Sequence, residues 1–224
     1  MEIEPIAHIE TDFKETFGIP RQSGYVEGCM GKIVFKPEYR NPDALRGLEG
    51  FSHIWLIFDF SENHRDGWDP MVRPPRLGGN TKVGVFASRS PFRPNSLGLS
   101  SVRLLSIEDT DEGTVLIVGG ADLLDGTPIY DIKPYVRMSD CHPDAKSGFA
   151  EGAMDHRLKV SDPDGFLDTI PDDKRDVLIG CLEMDPRPSY HDDERRYAMR
   201  FSDYDVAFTV ERYELIIKEV KKMI

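Results

Sequence analysis

Cysteine is scarce in this chain. Cys29, Cys141 and Cys181 are odd in number, far apart and outside any C-x-x-C pair. That pattern excludes a disulfide framework and gives no structural zinc site, so no metal is expected. Basic residues are outnumbered, 28 Lys and Arg against 40 Asp and Glu, for a net charge of −12. A chain this acidic neither coats nucleic acid non-specifically nor carries a polybasic membrane anchor. Long apolar runs are missing too. The densest cluster, 54–58, suits one buried strand and falls far short of a membrane span. The first ten residues, MEIEPIAHIE, have neither the basic nor the apolar part of a signal peptide, and with the cysteine usage they point to a cytoplasmic protein. Several chemical signatures are also wanting. No G-x-G-x-x-G follows a strand, and there is no P-loop, H-E-x-x-H, G-x-S-x-G or deaminase motif.

What is present is a globular composition. Apolar residues make up 39 % and aromatics 10 % of 224 residues, too much for a disordered chain. The length allows one sizeable core, or one core with a small annex. Residues 1–138 read as mainly β, with strands expected at 5–9, 31–35, 53–60, 83–86, 97–108, 114–118 and 130–135. Turn residues recur about every ten positions, which favours a closed barrel over a β-α-β sheet. A short helical turn is expected at 41–48, with Asn41 as its cap and Pro42 in the first position. His53, between Phe51 and Trp55, reads as a core histidine rather than a ligand.

Residues 139–170 are rich in Asp, Pro, Gly and Ser and read as a linker or loop-rich excursion. Residues 171–224 then form a small α+β annex. It has a helix over 171–184 and a hairpin of 196–201 with 204–210 about Ser202 and Asp203. The tail KEVKKMI frays or adds a last strand or helical turn.

The charge is unevenly spread. Between Arg65 and Arg103 lie seven basic residues and two acidic ones, a local net of +5 inside an acidic chain. Six of the seven are arginines, suited to bidentate contact with phosphate or carboxylate. The plain reading is a solvated surface with loop arginines. The functional reading is an anion-binding face confined by acidic surroundings.

Three stretches are chemically specific. GIPRQSG, 18–24, fixes a loop with Pro and Gly and offers donors from Arg and Gln. GVFASRSPFRPNSLGLS, 84–100, holds two arginines between prolines before a strand resumes. DLLDGTPIYDIKPY, 122–135, carries three Asp, a Gly-Thr-Pro turn, one Lys and two Tyr.

With FSHIWLIFDF before them and DPRPSY, 185–190, after them, these stretches resemble the TrmO (TsaA-like) family of tRNA methyltransferases over nearly the whole chain. The resemblance implies a β-barrel methyltransferase domain that binds S-adenosylmethionine without a Rossmann fold, and a homodimer. It also implies methylation of N6 of N6-threonylcarbamoyladenosine next to the anticodon of tRNA. One departure is Ser96, where the family usually has proline, which is expected to loosen its loop. Carried over by motif, the cofactor pocket would use Gln22, Ser23, Gly24, Ser61, Glu62, Arg89, Leu99, Asp125, Gly126, Thr127 and Pro128. Contacts to the anticodon loop would come from Arg73, Arg76, Arg93, Arg187 and Tyr190, with Lys82 a further candidate.

The carbamoyl-substituted N6 is a weak nucleophile with an acidified N–H, so a general base helps. Asp131 and Asp125 are the candidates, with Lys133 and Tyr135 orienting; the plain alternative is that Asp131 and Lys133 form a local ion pair. Other classes stay open: a sensor that binds S-adenosylmethionine or a nucleoside without turnover, a methyltransferase with a different acceptor, or a structural RNA-binding barrel.

Overall fold

The computed structural model describes residues 2–74, 77, 80–151, 157–187 and 195–223. Two cores organise it. The first is a closed six-stranded barrel built from β1 (Ala7–Thr11), β2 (Met30–Phe35), β3 (His53–Asp59), β6 (Leu97–Thr110), β7 (Gly113–Gly119) and β8 (Pro128–Pro134). Around the barrel the order is β1, β2, β7, β6, β3, β8, and every pairing is antiparallel. Alternation makes these strands. In β1 the odd positions Ala7, Ile9 and Thr11 are buried, and in β3 Ile54, Leu56 and Phe58 are. Side chains that alternate in this way can fill a barrel on one side and meet solvent on the other. Ile9, Ile33, Ile54, Leu56, Leu116 and Ile129 fill the interior.

Between β3 and β6 the chain forms a minor pair, β4 (Met71–Val72) with β5 (Val83–Gly84). The strand expected at 83–86 stops at Gly84 because a 3-10 turn, Val85–Ala87, takes over. The helical turn expected at 41–48 is a 3-10 turn, Pro42–Leu45, with the Asn41 side chain accepting from the Asp43 N–H. His53 does not enter the core. It is half-buried, beside Tyr135 and hydrogen-bonded to Ser52 at 2.9 Å.

The second core belongs to the C-terminal region. Helix α1 (Asp172–Glu183) packs Leu178, Cys181 and Leu182 on a sheet ordered β10 (Tyr197–Phe201), β11 (Tyr204–Glu211), β12 (Glu214–Lys222) and β9 (Lys159–Ser161). Asp172 and Asp173 in the first turn suit the positive end of the helix. The charged tail is a strand along most of its length, because 219–222 of β12 pair with 204–207 of β11, while the start of β12 runs parallel to β9. The stretch read as a linker therefore supplies a strand, and its Leu158, Leu167 and Ile170 are buried in this core.

The two cores are joined by residues that the sequence places in the barrel. Phe13 and Cys29, at the ends of the long β1–β2 loop, are buried in the C-terminal core. Phe17 stacks on Tyr197 and Phe208 at 6.2 and 6.4 Å. Phe13 bridges to Phe201, and the Ser202 N–H donates to the Asp12 carbonyl at 2.6 Å. Cys29 and Cys181 sulfurs lie 3.9 Å apart as thiols, and the contact with Cys29 together with burial pushes the Cys181 thiol far up.

Gly18 shows how tight the join is. Its φ is +93°, and an added Cβ would sit 2.3 Å from the end of the Met199 side chain. Gly18→Ala should cost about 1–3 kcal/mol through backbone strain and overpacking. Thermal unfolding should move down by about 2–4 °C per kcal/mol for a chain of this size. An unchanged melting temperature would mean that this loop is not seated as described.

Candidate active site

A closed barrel leaves its end loops free to build a site. Here four segments meet at one end and enclose a cleft of about 750 Å³. The β1–β2 loop contributes Thr16, Ile19 and Gln22. The end of β3 contributes Phe58, Asp59, Ser61 and Glu62. The arginine-proline loop and the start of β6 contribute Ser88, Arg89, Arg93, Leu99 and Ser100. Asp122, Leu124 and Thr127 close the floor. Gly98 is required on the β6 wall, since a Cβ there would fall 2.2 Å from the Phe58 ring.

Local hydrogen bonds hold each wall. Gly126, at φ +78°, turns the chain so that its N–H donates to the Ile9 carbonyl at 2.8 Å. Asp125 accepts from the Thr11 N–H at 2.8 Å and pairs with Lys14 at 2.8 Å. The Thr127 hydroxyl donates to the Leu124 carbonyl at 2.7 Å. Arg93 donates back to the Ser88 and Ser90 carbonyls at 3.2 and 3.4 Å. Ser96 tightens its loop, with its hydroxyl donating to the Pro91 carbonyl at 2.9 Å. The loosening expected at this departure from the family pattern is therefore offset by a bond that proline cannot make.

The cleft is polar at chosen places. Arg89 donates to the Gln22 side chain across its mouth. Asp122 is mostly buried, and its Oδ1 has no hydrogen-bond partner. Burial pushes the Asp122 carboxyl above its usual range, against the Ser100 hydroxyl and the Arg89 charge. Asp59 is 8 % exposed and meets the His64 Nε2 at 2.7 Å. Burial, with the Asp59 carboxylate beside it, raises the Tyr130 phenol.

The expected site residues divide. Gln22, Ser61, Glu62, Arg89, Leu99 and Thr127 line the cleft, as does Arg93, expected on the RNA side. Ser23, Gly24, Asp125, Gly126 and Pro128 support the walls without lining it. Gly24, for one, donates its N–H to the Gly120 carbonyl at 3.0 Å. Asp131 and Lys133 lie on β8 away from the cleft and pair with each other at 2.9 Å, the arrangement of a local ion pair. Tyr135 packs against Trp55, ring centres 5.5 Å apart, also outside the cleft. Arg187 forms a bidentate pair with Asp185 at 2.8 and 2.9 Å, both side chains largely buried. Arg73 and Lys82 are exposed, and Arg76 and Tyr190 lie outside the described residues. Asp59, Asp122 and His64 carried no motif-level role. Asp122 opens the third specific stretch, whereas Asp59 and His64 come together only at a strand end.

Among the described residues no group of three His, Cys, Asp or Glu side chains could hold a metal, and no helix is long and apolar enough to cross a membrane. A barrel with a donor-rich cleft built from its end loops defines a small-ligand site outside the nucleotide-binding α/β folds. Residues 8–141 match the tRNA-methyltransferase O N-terminal domain, and residues 167–223 match the TrmO C-terminal domain. The tRNA (adenine(37)-N6)-methyltransferase of Escherichia coli (strain K12) is 39 % identical over 93 % of both chains. The protein of that name from Eikenella corrodens is 48 % identical over 76 % of this chain and 97 % of its own. A crystal structure of TrmO from Pseudomonas aeruginosa superposes with a TM-score of 0.78 at 32 % identity, over 99 % of this chain and 98 % of that one. The chain belongs to the TrmO family of β-barrel tRNA N6-methyltransferases.

Asp122 generates a prediction with a definite sign. Its carboxyl binds a proton more tightly folded than unfolded, so its contribution favours folding below pH 3.8 and is lost as pH rises above it. Asp122→Asn should therefore raise the melting temperature of the ligand-free protein at pH 7 and give a smaller gain as pH falls toward 4. A variant that melts lower than the parent at pH 7 would contradict this placement.

Proposed function

We propose that the protein transfers a methyl group from S-adenosylmethionine to N6 of N6-threonylcarbamoyladenosine at position 37 of tRNA, the adenine position in its relatives' names. The observation that carries the reading is the donor set of the cleft. Arg89 and Gln22 stand at its mouth, Asp122 offers a buried unpartnered oxygen, and Phe58 and Leu99 give apolar walls. That mixture fits S-adenosylmethionine: arginine for the carboxylate, an amide for the adenine edge, and a buried carboxylate as acceptor for a hydroxyl or partner for a cation. Ser61, Glu62 and Thr127 complete the polar lining. When bound, this cofactor supplies a methyl group on a positively charged sulfur.

The protein's own part is to orient and to exclude water. Arg89 is fixed by Gln22, and the loop that carries Gln22 is anchored by Arg21, which donates to the Asp185 and Arg187 carbonyls at 3.3 and 3.2 Å. Arg187 thus serves this reading best as an anchor between the C-terminal region and the cofactor loop. Arg73 and Lys82, exposed beside the cleft's arginine-rich segment, suit contact with tRNA phosphates. Phe86, Leu97 and Leu99 are exposed apolar residues at the cleft, which with the family resemblance supports a homodimer joined near it.

The acceptor is tested by mass spectrometry of nucleosides. The tRNA comes from cells that lack this activity but keep the threonylcarbamoyl group. Purified protein with S-adenosylmethionine should add one methyl to threonylcarbamoyladenosine and none to tRNA lacking that modification. Methylation of the unmodified adenine instead would assign a different acceptor. Cofactor binding without methyl transfer would favour the sensor reading.

Arg89→Ala removes one charged hydrogen bond, about 1.5–3 kcal/mol. Affinity for S-adenosylmethionine by calorimetry should fall about 10- to 100-fold with the fold intact. A change below twofold would remove Arg89 from the cofactor site.

A further inference from the structure

A second recess, of about 400 Å³, opens beside the cofactor cleft and shares Asn63, Arg93 and Pro94 with it. His64, Arg65, Trp68 and Phe92 line its remaining walls. Trp68 is 46 % exposed and leans on Phe86, ring centres 6.0 Å apart, while Arg65 covers the Phe92 ring at 4.2 Å. Exposed aromatic rings backed by arginine make a platform for an unpaired base, and the volume admits a substituted purine. His64 stands where the recess meets the cleft, because its partner Asp59 lines the cleft itself.

We propose that this recess seats the acceptor nucleobase and that His64 takes the proton from its N6, with Asp59 as the positioning residue behind it. The inference rests on the methyltransferase reading above. The donor relations support it. With the Nε2–H donating to the Asp59 carboxylate at 2.7 Å, Nδ1 is the acceptor nitrogen of the neutral ring. Asp59 is buried at the end of β3, with the Tyr130 phenol beside it. The step balances. The N6 lone pair forms the new C–N bond as the methyl C–S bond breaks, the C–S pair stays on sulfur, and the N6 proton moves to Nδ1. The acceptor's charge is unchanged, and the positive charge of the sulfonium ends on the imidazolium, held by the Asp59 carboxylate.

The charged groups that share this corner are Asp59 from β3, Arg65 beside His64 and Arg93 from the arginine-proline loop. The neutral imidazole, with Nδ1 free to accept, is the working form. His64→Asn keeps a donor for Asp59 but cannot take the proton. Its single-turnover rate should fall about 100-fold or more, with affinity for S-adenosylmethionine unchanged. Asp59→Asn removes the carboxylate that holds the Nε2–H and should lower kcat for stem-loop methylation with KM unchanged, the split expected of a positioning residue.

The base seat has its own readout. An anticodon stem-loop carrying threonylcarbamoyladenosine, titrated onto the protein with S-adenosylhomocysteine, should bind Trp68→Ala about tenfold more weakly than the parent. An unchanged rate in His64→Asn overturns the proton acceptor, and unchanged stem-loop affinity in Trp68→Ala overturns the seat. If the parent protein fails to methylate threonylcarbamoyladenosine, the proposed function falls and takes this inference with it. If the parent methylates and the variants match it, this inference alone is wrong.

Discussion

The burial of the β1–β2 loop in the C-terminal core is the constraint on which the site depends. A six-stranded barrel of this size has an interior filled by side chains. A ligand site must then be made by end loops, and loops need a rigid backing to hold a geometry. Phe13, Phe17 and Cys29 supply that backing by leaving the barrel and packing with Tyr197, Phe201 and Phe208. Arg21 then fastens the tip of the loop to two carbonyls of residues 185 and 187. The C-terminal region is therefore part of the cleft's construction, even though none of its described residues lines the cleft.

The same economy governs the arginines. A segment rich in arginine reads as a cationic face, yet much of that charge is committed locally. Arg93 braces its own loop, Arg65 covers Phe92 and pairs with Asp69, and Arg89 meets Gln22. Arginine suits these tasks because its planar fork makes several directed bonds at once. Arg65 is matched by the Asp69 carboxylate, whereas Arg89 and Arg93 bond neutral oxygens and keep their charge, beside the exposed Arg73, Lys82 and Arg103.

How much of this was legible in the sequence follows from the range of each interaction. The barrel strands could be read because alternation is local: Ile54, Leu56 and Phe58 face inward two residues apart. The Asn41-Pro42 cap and the Ser202-Asp203 turn could be read for the same reason. β9 could not, since three residues in a polar stretch become a strand only through β12, more than fifty residues later. The charged tail is ambiguous because its pattern alone does not decide, and only its pairing with β11 makes it a strand. At the site, the motifs located the loops better than the individual roles. Gln22, Arg89 and Thr127 reach the cleft, whereas Asp131 and Lys133 satisfy each other outside it. Asp122 was within reach of a motif argument, but its missing partner is a property of packing. The Asp59–His64 contact depends on how the chain turns at the end of β3, which no spacing rule encodes.

A crystal structure of the protein with S-adenosylhomocysteine tests the central claim most directly. The account predicts the ligand in the cleft between the 18–24 loop and the Arg89–Leu99 wall, with Arg89, Gln22 and Asp122 among its polar contacts. Ligand bound elsewhere on the barrel, or a cleft that fills without touching the β1–β2 loop, would contradict it.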